Sequence, residues 1–133
     1  MKIVSAKDQP SRRGPADWFT GTVWMDEIPA NAEPSRVKCV RVSFEPGART
    51  AWHTHPLGQV LHVLSGSGRV QLEGEPVKEI YPGDTVVIAP GERHWHGAGP
   101  ENTMVHLALQ EANADGSVVA WMEKVTDEQY GGR

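Results

Sequence analysis

The sequence predicts an all-β barrel in a single domain. Three observations predict it: helical periodicity is nearly absent, short apolar or alternating runs recur, and turn signals part them roughly every 8–12 residues. A chain of 133 residues is long enough to bury one core and short for two. Its 38% hydrophobic and 23% charged content is that of an ordinary globular domain.

Taken in order, residues 1–15 are polar and predict a loosely ordered or exchanged N-terminal arm. Strands follow over Phe19–Met25, Lys38–Phe44, Gln59–Ser65, Gly68–Glu73, Thr85–Ile88, Met104–Gln110 and Val118–Met122. Between them stand Glu45-Pro46-Gly47, Ser65-Gly66-Ser67-Gly68, Gly74-Glu75-Pro76, Tyr81-Pro82-Gly83-Asp84, Ala89-Pro90-Gly91 and Gly97-Ala98-Gly99-Pro100. Each joins a fixed or permissive φ to a polar residue, which is how tight connections are made. The last pattern is Thr126-Asp127-Glu128-Gln129, a capping box that predicts one short C-terminal turn of helix.

Alternation assigns faces. Gln59, Leu61 and Val63 share one side of their strand, with Val60, His62 and Leu64 on the other. Both sides are largely apolar, so a second layer or a subunit partner is expected outside the barrel, with His62 facing it. His106 and Gln110 share a strand face with Met104 and Ala108.

Composition narrows the partners. The net charge is −4, from 13 basic and 17 acidic residues. That gives no basic footprint for nucleic acid and no polybasic stretch for a membrane surface. Small molecules and other copies of the chain, as a homodimer or homotetramer, are the expected partners. Cys39 is alone, which excludes an intrachain disulfide and a cysteine-pair metal site. No apolar leader follows Met1-Lys2 and no run approaches the ~18 residues of a membrane span, so the cytoplasm is the expected compartment.

The chemistry concentrates in two stretches. His53 and His55 are two apart, so on extended backbone both rings project to one side. Gln59 has the same parity and returns to that side after Pro56-Leu57-Gly58, while His94 follows Gly91. Imidazole nitrogen is the commonest ligand of a borderline divalent metal. Three imidazoles and one amide oxygen leave a position open for water or substrate, as catalytic sites do.

Residues 47–66 resemble the first cupin motif, G-x5-H-x-H-x3-E-x6-G, with Gln59 at the acidic position. Residues 83–98 resemble the second, G-x5-P-x-G-x2-H-x3-N, with Ala89 for the proline and Ala98 for the asparagine. The resemblance implies a cupin jelly-roll barrel, the double-stranded β-helix. The blocks at 14–22, 44–59, 94–97 and 121–130 further resemble the bacterial cupin-type hydroxynitrile lyases, manganese-dependent enzymes that cleave or form cyanohydrins. It implies one divalent ion per chain, Mn²⁺ before Fe²⁺, Zn²⁺ or Ni²⁺, held by His53, His55, Gln59 and His94. It also implies a pocket lined by Thr50, His96, His106 and Gln110.

Val40 and Val42, beside Phe44, are the expected apolar wall, suiting an aryl or alkyl cyanohydrin better than a sugar or oxalate. On this reading the metal lowers the pKa of the cyanohydrin hydroxyl, and His96 or His106 takes its proton. The remaining imidazole, Gln110 and Thr50 then meet the charge of the departing cyanide. Trp52, Trp95 and Trp121 are read as packing residues. Two other classes share the fold: a cupin dioxygenase, which the neutral Gln59 disfavours by leaving the metal its full charge, and a non-enzymatic ligand-binding cupin.

Overall fold

The computed structural model describes residues 1–132. A 3-10 turn at Ala6–Asp8 precedes thirteen strands: β1 Arg12–Arg13, β2 Phe19–Thr20, β3 Val23–Ile28, β4 Val37–Phe44, β5 Arg49–Thr50, β6 His53–Thr54, β7 Gln59–Gly66, β8 Gly68–Leu72, β9 Lys78–Ile80, β10 Thr85–Ile88, β11 His94–Ala98, β12 Met104–Glu111 and β13 Ala120–Trp121. A single helical turn, α1, closes the chain at Asp127–Tyr130. No helix among the described residues is long and apolar enough to cross a membrane.

Two antiparallel sheets form the sandwich. One runs β1-β3-β4-β12-β7-β10; the other runs β13-β6-β11-β5-β2, with β8 on β11 and β9 on β8. The first sheet's long strands come from the alternating runs of the sequence. Its inner face stacks in rows set by register: Lys38–Gln110–Gln59 at one end, then Val40–Ala108–Leu61, then Val42–His106–Val63. Phe44 and Met104 lie deeper still, packed with Phe19, Val23 and Val63 at the closed end. Each such buried side chain contributes on the order of 1.5–3 kcal/mol.

The structure departs from the expected elements in particular places. Residues 19–25 are not one strand, because the chain breaks at Gly21-Thr22 between β2 and β3. Arg12 and Arg13 pair with Met25 and Trp24, so the arm expected to be loose is tied to the sheet at that point. The short strands β5, β6 and β11 show no apolar alternation in sequence, since their side chains on both faces are buried and several are polar.

The C-terminal turn forms as its capping box predicts: Thr126 Oγ1 accepts from the Gln129 amide at 3.1 Å, and Gln129 Oε1 accepts from the Thr126 amide at 3.0 Å. Buried Arg49 anchors it, donating to the Val125 carbonyl and to Asp127 Oδ1, both at 2.8 Å, with its guanidinium over the Tyr130 ring. Trp52 and Trp95 pack with Val125 and Tyr130 beneath it.

Candidate metal centre

The sites of the two motifs meet because β6 and β11 are neighbours, with His53 opposite His94. Gln59 reaches the same place through a turn that only glycine makes comfortably: Gly58 has φ +81°, and a Cβ there would lie 2.6 Å from the Ile88 carbonyl oxygen. His53, His55, Gln59 and His94 are all buried.

Their hydrogen bonds fix which atoms face inward. His53 Nδ1 lies 2.9 Å from the Ala51 carbonyl, His55 Nδ1 2.6 Å from that of Val118, and His94 Nδ1 2.9 Å from that of Glu92. A carbonyl accepts only, so each Nδ1 carries the proton and each Nε2 keeps its lone pair, the arrangement of metal-ligating histidines. Gln59 Nε2 donates to Gln110 Oε1 at 3.1 Å, which turns Gln59 Oε1 toward His94 Nε2, also 3.1 Å away. An amide oxygen and three imidazole lone pairs therefore converge.

A second pair stands beside them. His96 Nδ1 lies 2.9 Å from His106 Nε2, and the two rings are edge to face with centres 4.8 Å apart. The Thr50 hydroxyl oxygen accepts from the His96 amide at 3.2 Å, fixing that backbone. Ring nitrogens of His53, His94 and His96 fall within 4.8 Å of one another, the tightest trio of the site. His55 stands against it, its ring 5.1 Å from His53 and 5.7 Å from His94.

Burial keeps all five rings neutral. It pushes His53 and His96 well below the ordinary histidine range, with the neighbouring imidazoles adding to the effect, and it lowers His55. His94 and His106 are held at about 4, again chiefly by burial. His55 Nε2, His96 Nε2 and His106 Nδ1 are buried without a hydrogen-bond partner among the described residues. Buried imidazole nitrogens left without a partner, with no carboxylate among the described residues that line the cavity, are what a cation satisfies. The donor set fits a divalent ion.

His53, His55, Gln59 and His96 line a cavity of about 170 Å³ whose other walls include Trp18, Met25, Val40, Val42, Ala108 and Trp121; His94 lies beside these ligands but does not line it. An apolar cavity of about 150 Å³ accepts a benzene ring, so this one has aromatic size. Thr50 and Gln110 reach it as expected. Two expected wall residues do not: Phe44 and His106 lie a layer behind. Phe44 belongs to the closed-end core, and the His96 ring stands between His106 and the cavity. Alternation gives the side of a strand, not depth along a barrel.

Trp121 is a correction in the other direction. Read as packing, it lines the cavity opposite His53, with ring centres 4.6 Å apart, and Trp18 stacks on it at 5.3 Å. Its pairing with His53 across β13 and β6 was the missing signal, one that appears only once strand partners are known.

Residues 40–109 match the family described as the cupin domain. This chain belongs to that cupin family. It is also 58% identical over 130 residues to an (R)-mandelonitrile lyase of the bacterium Granulicella tundricola, a match covering 98% of each chain. Among solved structures, a cupin-like protein of Thermotoga maritima is 36% identical with a TM-score of 0.82, covering 98% of this chain and 95% of that one. The polyketide cyclase RemF of Streptomyces resistomycificus is 20% identical with a TM-score of 0.74, covering 98% and 90%, a likeness of fold alone. In this cupin the acidic position of the first motif is the neutral Gln59, tied to Gln110.

Proposed function

We propose that this cupin is a hydroxynitrile lyase, splitting a cyanohydrin into an aldehyde and HCN and running the reverse addition. The observation that carries the reading is the full-length likeness to an (R)-mandelonitrile lyase at 58% identity. An aromatic-sized cavity beside a neutral, partner-free imidazole nitrogen supports it. His53, His55, Gln59 and His94 hold one divalent ion, which we assign as manganese. Bound there, such an ion supplies Lewis acidity that brings a neighbouring hydroxyl's pKa down toward the range of an imidazole.

The chain's own residues do the rest. His96 Nε2 faces the cavity and takes the hydroxyl proton, while its Nδ1–H donates to His106 Nε2. His106, out of reach of substrate, holds His96 in that tautomer and shares the charge it gains. The carbon–carbon bond to the nitrile breaks as the carbonyl forms, and its electron pair leaves on cyanide. The free N–H groups of Gln110 and the hydroxyl hydrogen of Thr50 meet that charge. His96, disfavoured as a cation by burial, returns its proton to cyanide as HCN.

The test is benzaldehyde and HCN release from mandelonitrile by manganese-loaded protein, with metal content measured in parallel. Release at one ion per chain supports the reading. No release with any of the four metals would sink it.

We also assign the outer face of the first sheet to a second copy of the chain. Ile28, Cys39, Leu109, Val60 and Val87 form one apolar row across five strands, and Val87 is 77% exposed. Trp24 and Leu64 stand past the next row, Asp26, Arg41, Leu107, His62 and Thr85, so an exposed apolar row is rimmed by polar groups, as at a contact surface. Two such faces related by a twofold axis cover each other. Leu109→Asp then shifts the sedimenting species toward monomer; a wild-type monomer would contradict the assignment. We place the protein in the cytoplasm, where the lone thiol Cys39 stays reduced.

A further inference from the structure

We infer that the preferred substrates carry a carboxylate remote from the reacting carbon, received at the barrel mouth by Lys38 and Arg12; this rests on the lyase reading. A second cavity, about 710 Å³, lies outside the inner one and shares Trp18, Met25, Val40, Gln110 and Val118 with it. The two are successive chambers of one passage. The inner chamber has room for little beyond an aromatic ring, so any group on the far side of that ring stands in the outer chamber.

The outer chamber is cationic. Arg12, Arg13 and Lys38 line it against Glu27 alone, three positive charges to one negative, in a chain whose net charge is −4. None of these four belongs to an ion pair among the described residues. Arg13 donates to Thr22 Oγ1 at 3.1 Å, whereas the side chains of Arg12 and Lys38 have no hydrogen-bond partner among the described residues.

Their places suit a second contact point. Lys38 shares the cross-strand row of Gln110 and Gln59, two strands from Gln59, roughly 10 Å at the ~4.8 Å strand spacing. Arg12 is paired with Met25, which lines both chambers. A ring seated between Val40 and Trp121 thus points its far end at two cations with free N–H groups, and a carboxylate is the group they match. The same field draws such anions to the mouth at low ionic strength.

The experiment compares kcat/KM for cleavage of mandelonitrile and of its para-carboxy derivative by the manganese-loaded protein. Wild type favours the carboxylated compound. In Lys38→Gln/Arg12→Gln the ratio of the two values falls by about tenfold, the combined size of two partly exposed ion pairs. Lys2→Gln/Lys7→Gln removes the same charge from the exposed N-terminal segment and keeps the wild-type ratio. A ratio unchanged in the mouth variant, or lowered equally in the N-terminal one, would overturn the inference. Wild type that cleaves neither compound would fail earlier, by removing the lyase reading itself.

Discussion

The buried histidines of this barrel form two groups that differ in what their ring nitrogens meet: a backbone carbonyl or another imidazole. His53, His55 and His94 each turn Nδ1 to a backbone carbonyl, whereas His96 Nδ1 meets His106 Nε2, and His106 Nδ1 has no hydrogen-bond partner among the described residues. Burial is alike in both groups and all five rings are held neutral. A carbonyl cannot exchange roles with an imidazole, so the first three rings have a fixed tautomer and present a permanent lone pair. Two imidazoles can exchange roles, so the second pair is able to pass a proton. On the proposed reading, the same residue type serves as a ligand or as an acid–base group according to what stands behind it.

Removing a member of the first group breaks the comparison most severely. His94→Ala deletes a proposed ligand and leaves Gln59 Oε1 without its neighbour; metal content is expected to fall below a tenth of wild type and mandelonitrile cleavage by about 10³-fold or more. His96→Ala keeps the ion but loses about 10²–10⁴ in kcat, the usual worth of a general base, as read by steady-state cleavage on metal-saturated protein.

Acid sensitivity comes next. His106 is held at about 4 by burial, below the 6.5 of an unfolded histidine. Above pH 6.5 neither state binds a proton, so His106 leaves stability unaffected. Between pH 6.5 and 4 only the unfolded chain binds one, and folding loses up to about 3 kcal/mol from this residue alone. Urea midpoints of the metal-free protein therefore fall steeply over that window, and His106→Asn flattens the fall. In the metal-loaded enzyme His106→Asn costs about tenfold in kcat, because an amide can hold His96 without sharing its charge. Smallest of all, Gln59→Glu lowers cleavage several-fold while tightening the metal, since a carboxylate offsets part of the ion's charge.

Much of this was legible in the sequence, and the residues show where legibility stops. The long strands declared themselves through alternation, the spacing of His53, His55 and Gln59 placed three donors on one side, and the second motif supplied His94. The strand of Gln59 declared itself, but those of His53 and His94 did not, because β6 and β11 are short and largely buried with polar side chains. Depth was equally hidden: Phe44 and His106 have the parity of wall residues and stand behind the wall. Trp121 looked like packing until its pairing brought it across from His53. Parity is a local property of a chain; depth and partnership belong to the folded barrel.

The division into three holders and one proton acceptor meets its most direct test in manganese content and mandelonitrile cleavage measured side by side on His55→Ala and His96→Ala. The expected outcome is that His55→Ala loses both metal and activity, whereas His96→Ala retains about one ion per chain and loses activity alone. A His96→Ala protein that sheds its metal while His55→Ala keeps it would assign the ion to the tight trio of His53, His94 and His96 and contradict the division.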